Sequence, residues 1–200
     1  MHQKREPSGY RPEIEGSALR VSTIRPFAEP DAPQVRDLFI AVNRMLAPTH
    51  LRDAFENYIA RSLSEEIDRI LDYYRDRRGG FWVAVSGDRV VGTFGLERVS
   101  DQAMELRRMY VHFSTRRAGI GRQMLAFAED ECRRRNVFRL VLGTSELQDA
   151  ALALYRASGY SLVRESVAEE ISNKTIGSGI RRYYFEKSLG VGENPESSGC

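Results

Sequence analysis

The sequence predicts an α/β protein in which a mixed sheet carries helices on its faces, and three observations predict it. Apolar residues recur at helical spacing from about Asp31 to Asp76, the period drops to two between Phe81 and Phe113, and helix-like and strand-like runs then alternate as far as Ser188. A chain of 200 residues with 42% hydrophobic content can bury one sizeable core. Its two ends differ from the rest: residues 1–18 and 190–200 are rich in Gly, Pro, Ser and charge. They are expected to stay disordered around a single domain of residues 19–189.

The elements follow in order. "RVSTIRPF" reads as a short strand, and "DAPQVRDLFIAVNRML" as a helix with Asp31 in a capping position and Val35, Leu38, Phe39 and Val42 as its apolar stripe. A second helical block runs from about Leu51 to Asp76. Ile59, Leu63, Ile67, Ile70, Leu71 and Tyr74 form its apolar face, and Glu65, Glu66, Asp68, Arg69, Asp72 and Arg75 its solvated one. Tyr58, Tyr73 and Tyr74 are expected to fill core rather than to face a substrate. After the breaker Gly79-Gly80, "FWVAVSGDRVVGTFGLE" reads as a hairpin turning at Gly87-Asp88.

"AMELRRMYVHF" is the next strand. Strict alternation puts Glu105, Arg107, Met109 and Val111 on one side and Met104, Leu106, Arg108 and Tyr110 on the other. A turn then opens a helix with Ile120, Met124, Leu125, Ala128 and Cys132 at helical spacing. "VFRLVLGTS" is a strand, and "QDAALALYRASGY" is a helix with Ala151, Leu154, Tyr155 and Ser158 on one face, stopped at Gly159. "YSLVRES" and "RRYYFEKSL" are strands on either side of a polar loop from about Ala168 to Gly179.

Composition excludes several classes. Thirty basic and 28 acidic residues leave a net charge of +2, which neither demands nucleic acid nor forbids an anionic ligand. Arg133, Arg134 and Arg135 close a helix, where cations are favoured by its dipole, and no aromatic platform accompanies them, so no nucleic-acid partner is expected. Cys132 and Cys200 make a disulfide framework implausible and point to a reducing compartment. The first twenty residues lack the apolar core of a leader, and no run approaches ~18 apolar residues. A cytoplasmic protein without a membrane partner is expected.

The stretch "STRRAGIGRQ" carries the chemistry. A Walker loop needs Gly-Lys-Ser/Thr, and here Gly121 is followed by Arg122 and Gln123. A dinucleotide fingerprint needs a small third residue where Met124 stands, and an acidic residue closing the next strand, where "FRLVLG" has none. The remaining pattern, Arg116-x-x-Gly119-x-Gly121 opening a helix after a strand, fits. Two glycines let the backbone curl until several N–H groups converge on one anion, and the first amides of the helix add their dipole. This is a metal-free cradle for a pyrophosphate, with Arg116, Arg117 and Arg122 around it.

Coupled to "LVLGTSELQDAALALYRASGYSLV" downstream, "MELRRMYVHFSTRRAGIGRQMLAFAEDECRR" resembles the core of the GNAT superfamily, the Gcn5-related N-acetyltransferases that use acetyl-CoA. The resemblance is strong from about Phe81 to Val163 and says little about Asn43 to Arg78. It implies a mixed, mostly antiparallel sheet with helices on both faces and a splayed central strand pair. It also implies that the main chain of Met109, Tyr110 and Val111 pairs with the pantetheine arm, and that the amides of Arg116, Arg117, Ala118, Gly119, Ile120, Gly121 and Arg122 hold the pyrophosphate. Gln148 stands where the family often has an Asn that contacts the cofactor arm. Homodimers are common among such proteins, so a homodimer is open to this chain.

Acetyl transfer from a thioester to an amine needs a base for the amine, a donor for the oxyanion and a proton near the leaving thiolate. Tyr155 fits the last role, because a phenol of pKa ~10 stays protonated at neutral pH. Glu105, eleven residues before Arg116, stands at the spacing at which some members of the resembling family carry a catalytic glutamate. A carboxylate of pKa ~4.3 is a weak base for an ammonium, so this role calls for partial burial or a relaying water. Glu97 is the rival base, His112 reads as a turn residue, and the oxyanion donor is expected to be a backbone N–H of Met109 to Val111. The acceptor expected is the primary amine of a small molecule. A protein or peptide amine, or a non-catalytic acyl-CoA sensor, is the alternative. No metal is expected.

Overall fold

The computed structural model describes residues 23–115 and 118–190. The expectations for residues 1–18, for the tail from residue 191, and for Arg116 and Arg117 lie outside the described residues. The elements are β1 (Thr23–Pro26), α1 (Ala32–Leu46), α2 (Arg52–Glu65), α3 (Ile70–Asp76), β2 (Gly80–Ser86), β3 (Arg89–Ser100), β4 (Ala103–Val111), α4 (Ile120–Arg134), β5 (Arg139–Ser145), α5 (Asp149–Ala157), β6 (Ser161–Ala168) and β7 (Ile180–Ser188).

The seven strands form one sheet in the order β1-β2-β3-β4-β5-β7-β6. Every neighbouring pair is antiparallel except β4 with β5. Alternate strand residues feed two cores. Phe81, Val83, Val85 and Val90 pack with Val35, Phe39, Tyr58, Ile59 and Tyr74 from α1–α3. Trp82, Ala84, Phe94, Leu96, Met104 and Leu106 pack with Ile120, Met124, Leu125 and Ala128 of α4 and with Tyr155 of α5. The expected stripes of α1 and α4 are the ones buried.

Three local expectations are corrected. The block from Leu51 to Asp76 is two helices separated by a 3-10 turn at Ile67–Arg69, because the backbone turns out of the helix at Glu66 (φ −140°, ψ −58°). This break changes the helical phase. Leu71 consequently lies 47% exposed, and Glu66, expected on the solvated face, is fully buried at 0%. Asp31 does not cap α1 with its side chain. Its carboxylate accepts instead from the Ala28 N–H at 2.9 Å and from Arg25 at 2.7 and 2.8 Å, tying the chain to β1 before the helix begins.

The fourth departure shapes the centre of the sheet. Thr93 pairs with Tyr110 and Gly95 with Arg107, so Arg108 and Met109 together lie opposite Phe94. This is a β-bulge. Arg108 takes up the extra residue with φ +51°, an uncommon conformation for a non-glycine residue. Past it the alternation is inverted. Tyr110 belongs to the α1–α3 core, while Met109 and Val111 pack against the α4 core. Glu105 therefore does not share a face with Met109 and Val111.

The parallel pairing of β4 with β5 ends where the bulge begins. It runs from Ala103 opposite Arg139 to Leu106 opposite Leu142 and goes no further. Beyond it the two strands part, and the β4 edge from Met109 to Val111 is left without a strand on that side. Among the described residues no helix is long and apolar enough to cross a membrane.

Two substitutions check the burial pattern. Phe94, fully buried and stacked on Trp82 at 5.3 Å, should cost about 3–5 kcal/mol as Phe94→Ala. Leu71→Ala should stay within about 0.5 kcal/mol, because its side chain is half in water. Urea unfolding midpoints of the two variants beside the parent measure both.

Candidate active site

The gap left by the bulge is the centre of a groove of about 690 Å³. Met109, Tyr110 and Val111 form one wall, Leu154 and Tyr155 of α5 the other, and Gly119 to Arg122 close one end. Gly119 precedes α4 in the left-handed region (φ +76°), where a side chain would be strained, although space for a Cβ exists. Gly121 is needed for the opposite reason. A Cβ there would come within 3.2 Å of a Leu154 methyl, so with any side chain at 121 Leu154 would have to give way where α4 meets α5. Gly119, Ile120, Gly121 and Arg122 all line the groove, so the first turn of α4, whose leading amides have no partner within the helix, borders it. Ala118 and Gly119 are exposed, Ile120 is buried in the core and Arg122 is exposed.

A second, tighter cavity of about 90 Å³ lies against the first. Both linings include Met109, Tyr110, Gln148 and Tyr155, so the two meet at these residues. The second cavity is otherwise walled by Asn43, Phe55 and Tyr58 of the early helices, by Glu105, and by Asn173, Lys174 and Arg182.

Beneath it lies a buried charge cluster. Glu66 Oε2 accepts from Arg107 Nη2 at 2.6 Å and from Arg108 Nη2 at 2.7 Å, while its Oε1 accepts from Arg108 Nε at 3.0 Å and from the Tyr74 hydroxyl at 2.7 Å. Arg108 Nη1 donates to the Tyr58 hydroxyl at 2.6 Å. Two arginines adjacent in a strand reach the same carboxylate only because the bulge turns both to one face. Arg107 also donates to Glu97 at 3.3 Å, and Glu97 in turn accepts from Lys174 and from Tyr73. Burial pushes the Glu66 carboxyl up, but the charges of Arg108 and Arg107 and their hydrogen bonds outweigh it and hold the group below its ordinary value. Glu97 shows the same balance, with Arg107 and Lys174 overcoming the cost of burial.

The expected site residues fall as follows. Glu105 lines the tighter cavity, 21% exposed, and its Oε2 accepts from Lys174 Nζ at 2.6 Å. Glu97 is nearly buried and fully engaged by Arg107 and Lys174, with Arg77 at 3.7 Å. Tyr155 is buried where the cavities meet, with its hydroxyl 3.8 Å from Met109 Sδ; burial raises its phenol above the ordinary value. Gln148 folds back on its own turn, its Oε1 accepting from the Thr144 hydroxyl at 2.6 Å. His112 Nδ1 lies 2.7 Å from the Ser114 hydroxyl in the turn after β4, in keeping with a turn residue.

Tyr73 and Tyr74 are core residues that also bind the buried carboxylates, whereas Tyr58 is both core and cavity wall. Arg133, Arg134 and Arg135 are taken up by Glu129, Asp130 and Glu131 on their own helix. Among the described residues no group of three or more His, Cys, Asp or Glu is placed to hold a metal.

Sequence reasoning missed Glu66, Asn173, Lys174 and Arg182. The adjacent arginines "RR" inside an otherwise apolar strand were the available signal, since a buried guanidinium requires a carboxylate partner somewhere in the chain.

A strand edge opened by a bulge, beside a helix entered through a left-handed glycine, leaves an extended groove that meets a second cavity. The chain belongs to the acetyltransferase (GNAT) family, whose sequence model matches residues 46–160. A protein described as probable N-acetyltransferase 14 of Xenopus tropicalis is 36% identical over 101 residues, covering 50% of this chain and 49% of that one. N-acetyltransferase 8 of Rattus norvegicus is 34% identical over 122 residues, 56% of this chain and 53% of that one. The chain thus spans about half the length of the curated relatives it matches. A Salmonella typhimurium protein described as a putative acetyltransferase, solved with its cofactor acetyl-CoA, shares the fold at a TM-score of 0.64 and 18% identity, over 88% of this chain and 98% of that one.

The charge cluster generates a stability prediction with a defined sign. Glu66 and Glu97 are held below the ordinary 4.5 when folded, so on acidification the unfolded chain takes up protons first. Their contribution is complete above about pH 4.5 and is lost as pH falls through the folded values. Glu66→Gln leaves the buried Arg108 guanidinium without a carboxylate and Arg107 with Glu97 alone, and should cost about 3–5 kcal/mol at pH 7. It should also flatten the loss of stability below pH 4.5. Urea melts of both proteins from pH 7 to pH 3 measure the two effects together.

Proposed function

We propose that the chain is an acetyl-CoA-dependent N-acetyltransferase that moves the acetyl group to the primary amine of a small molecule by direct attack in a ternary complex. The observation that carries this reading is the meeting of two cavities at Tyr155 and Met109, one extended with an amide-lined end and one compact with a carboxylate. Acetyl-CoA supplies the acetyl group as a thioester. The residues present fit it: the open edge of Met109, Tyr110 and Val111 offers main-chain groups to an amide-bearing arm, and the first amides of α4 offer donors to a pyrophosphate. The exposed Arg122, with Arg116 and Arg117 in sequence, adds positive charge. With the Gln148 carbonyl already bonded to Thr144, its amide N–H groups are what it can offer the arm.

On the acceptor side, Glu105 is the base. It receives the amine proton directly or through water, and its partner Lys174 balances the carboxylate charge between turnovers. Tyr155 lies where the thioester sulfur would come. Because burial raises the phenol, its proton is held, and the hydroxyl serves the leaving thiolate as a hydrogen-bond donor rather than by full transfer.

The loop between β6 and β7 supports a small acceptor over a polypeptide. It is fastened across the tighter cavity by Arg61 to the Ile171 carbonyl at 2.7 Å, Arg108 to the Asn173 carbonyl at 2.7 Å, and Lys174 to Glu105. Ile171 and Ile176 also pack on the α1–α3 core. A through-running groove for a peptide would need this loop released.

Acetyl-CoA should raise the melting temperature of the parent, and Gly119→Asp with Gly121→Asp should abolish that rise. Glu105→Gln and Tyr155→Phe should each lower kcat by about 10²-fold or more while leaving the acetyl-CoA-induced rise in place. A thiol-release assay over amines, amino acids, polyamines, aminoglycosides and peptides reads the rates. Turnover of peptides alone would replace the small-molecule acceptor with a protein one. An acetyl-CoA-induced rise without turnover of any amine would point to a sensor.

A further inference from the structure

The tighter cavity holds one cation whose charge no carboxylate answers. Glu66 and Glu97 are taken by Arg107 and Arg108, with Arg77 leaning on Glu97, and Glu97 and Glu105 share Lys174. Arg182, on β7, forms no ion pair among the described residues. Its Nη1 donates to the Lys174 carbonyl at 2.7 Å, its Nε is buried without a partner, and its guanidinium carbon lies 5.6 Å from the Tyr184 ring centre. A buried N–H with nothing to donate to is costly unless something else supplies the acceptor.

The position of this guanidinium is built into the strand beside it. A Cβ on Gly143 would lie 2.8 Å from Arg182 Nη2, so a side chain at 143 would displace the tip of the arginine from its place over β5. Gly143 is two residues beyond Val141, the residue of β5 that pairs with Glu105. Two residues of strand advance about 7 Å. An α-amino acid carries its ammonium and carboxylate on one carbon and, with one hydrogen bond to each, spans about 8 Å at ordinary hydrogen-bond lengths, the same scale as that backbone offset. The cavity lining also includes Leu46, Phe55 and Ile176, which suit an apolar side chain.

We propose that the acceptor is an amino acid with a free carboxylate, bound by Arg182 while its amine is presented to Glu105. This rests on the acetyltransferase reading and narrows it, because polyamines, aminoglycosides and peptide lysines carry no carboxylate beside the amine. Arg182 is a specificity residue for this reaction. Gly143 acts through it by giving the guanidinium its seat.

The test is the ratio of kcat/KM for an amino acid to that for its amide, with leucine and leucinamide, and phenylalanine and phenylalaninamide, as the pairs. Using the ratio cancels any general loss from disturbing the loop that Arg182 also holds. The parent should prefer the acid by about tenfold or more, the scale of one charge-assisted hydrogen-bonded pair. Arg182→Gln should bring the ratio to about one, Arg182→Lys should recover part of it, and Gly143→Ala should lower it. Equal use of acid and amide by the parent, or an unchanged ratio in Arg182→Gln, overturns the carboxylate assignment while leaving the acetyltransferase reading. So does turnover of polyamines or peptides with neither member of the pairs accepted. Failure to acetylate any amine, with no rise in melting temperature on adding acetyl-CoA, overturns both.

Discussion

The buried carboxylate of Glu66, held between Arg107 and Arg108, is the interaction on which the rest of the site depends. An ion cluster so deep carries a large desolvation cost, and it is maintained only if every charge is answered in close geometry. Here that condition dictates backbone shape. Two successive strand residues normally point to opposite faces, and a single carboxylate can bind both only if the strand inserts an extra residue between its faces. Arg108 is that residue, with φ +51°, and the strain of its conformation is offset by four bonds from its guanidinium to Glu66, Tyr58 and Asn173.

From this one distortion the functional geometry follows. The bulge coincides with the end of β4–β5 pairing at Leu106 and Leu142, so the edge beyond it is open just where Gly119 and Gly121 bring the α4 amides alongside. The same cluster reaches the opposite cavity. Asn173 and Lys174 are drawn onto the arginines and onto Glu97 and Glu105, and the β6–β7 loop is thereby fixed over the tighter cavity. One set of charges therefore runs from the bulged strand beside the groove to the loop above the tighter cavity. Tyr155, on α5, stands where the two cavities join.

The order of the strands, the hairpin at Gly87, the stripes of α1 and α4 and the glycine entry to α4 were legible in the sequence, because each rests on a local period or a local backbone requirement. The features that were not legible all depend on distant residues. Strict alternation placed Glu105 with Met109, and nothing within "MELRRMYV" announces that the period slips at Arg108. Glu66 looked like one charge among six on a solvated face. It is buried because the helix breaks at that residue and its partners come from a strand forty residues later. Lys174 and Arg182 sit beyond the stretch that resembles the family, in a loop and a strand whose own patterns say only that they are polar and alternating.

The account stands on the claim that the charge cluster sets the splay of β4 and hence the groove, although Glu66 itself does not line the groove. The direct measurement is the calorimetric dissociation constant for coenzyme A of Glu66→Gln beside the parent, at a temperature where circular dichroism shows both folded. The account predicts weaker binding by roughly two- to thirtyfold, the range expected when a distant packed element controls a site. An unchanged dissociation constant in a folded Glu66→Gln protein would contradict it and show that the strand edge opens without the buried charges.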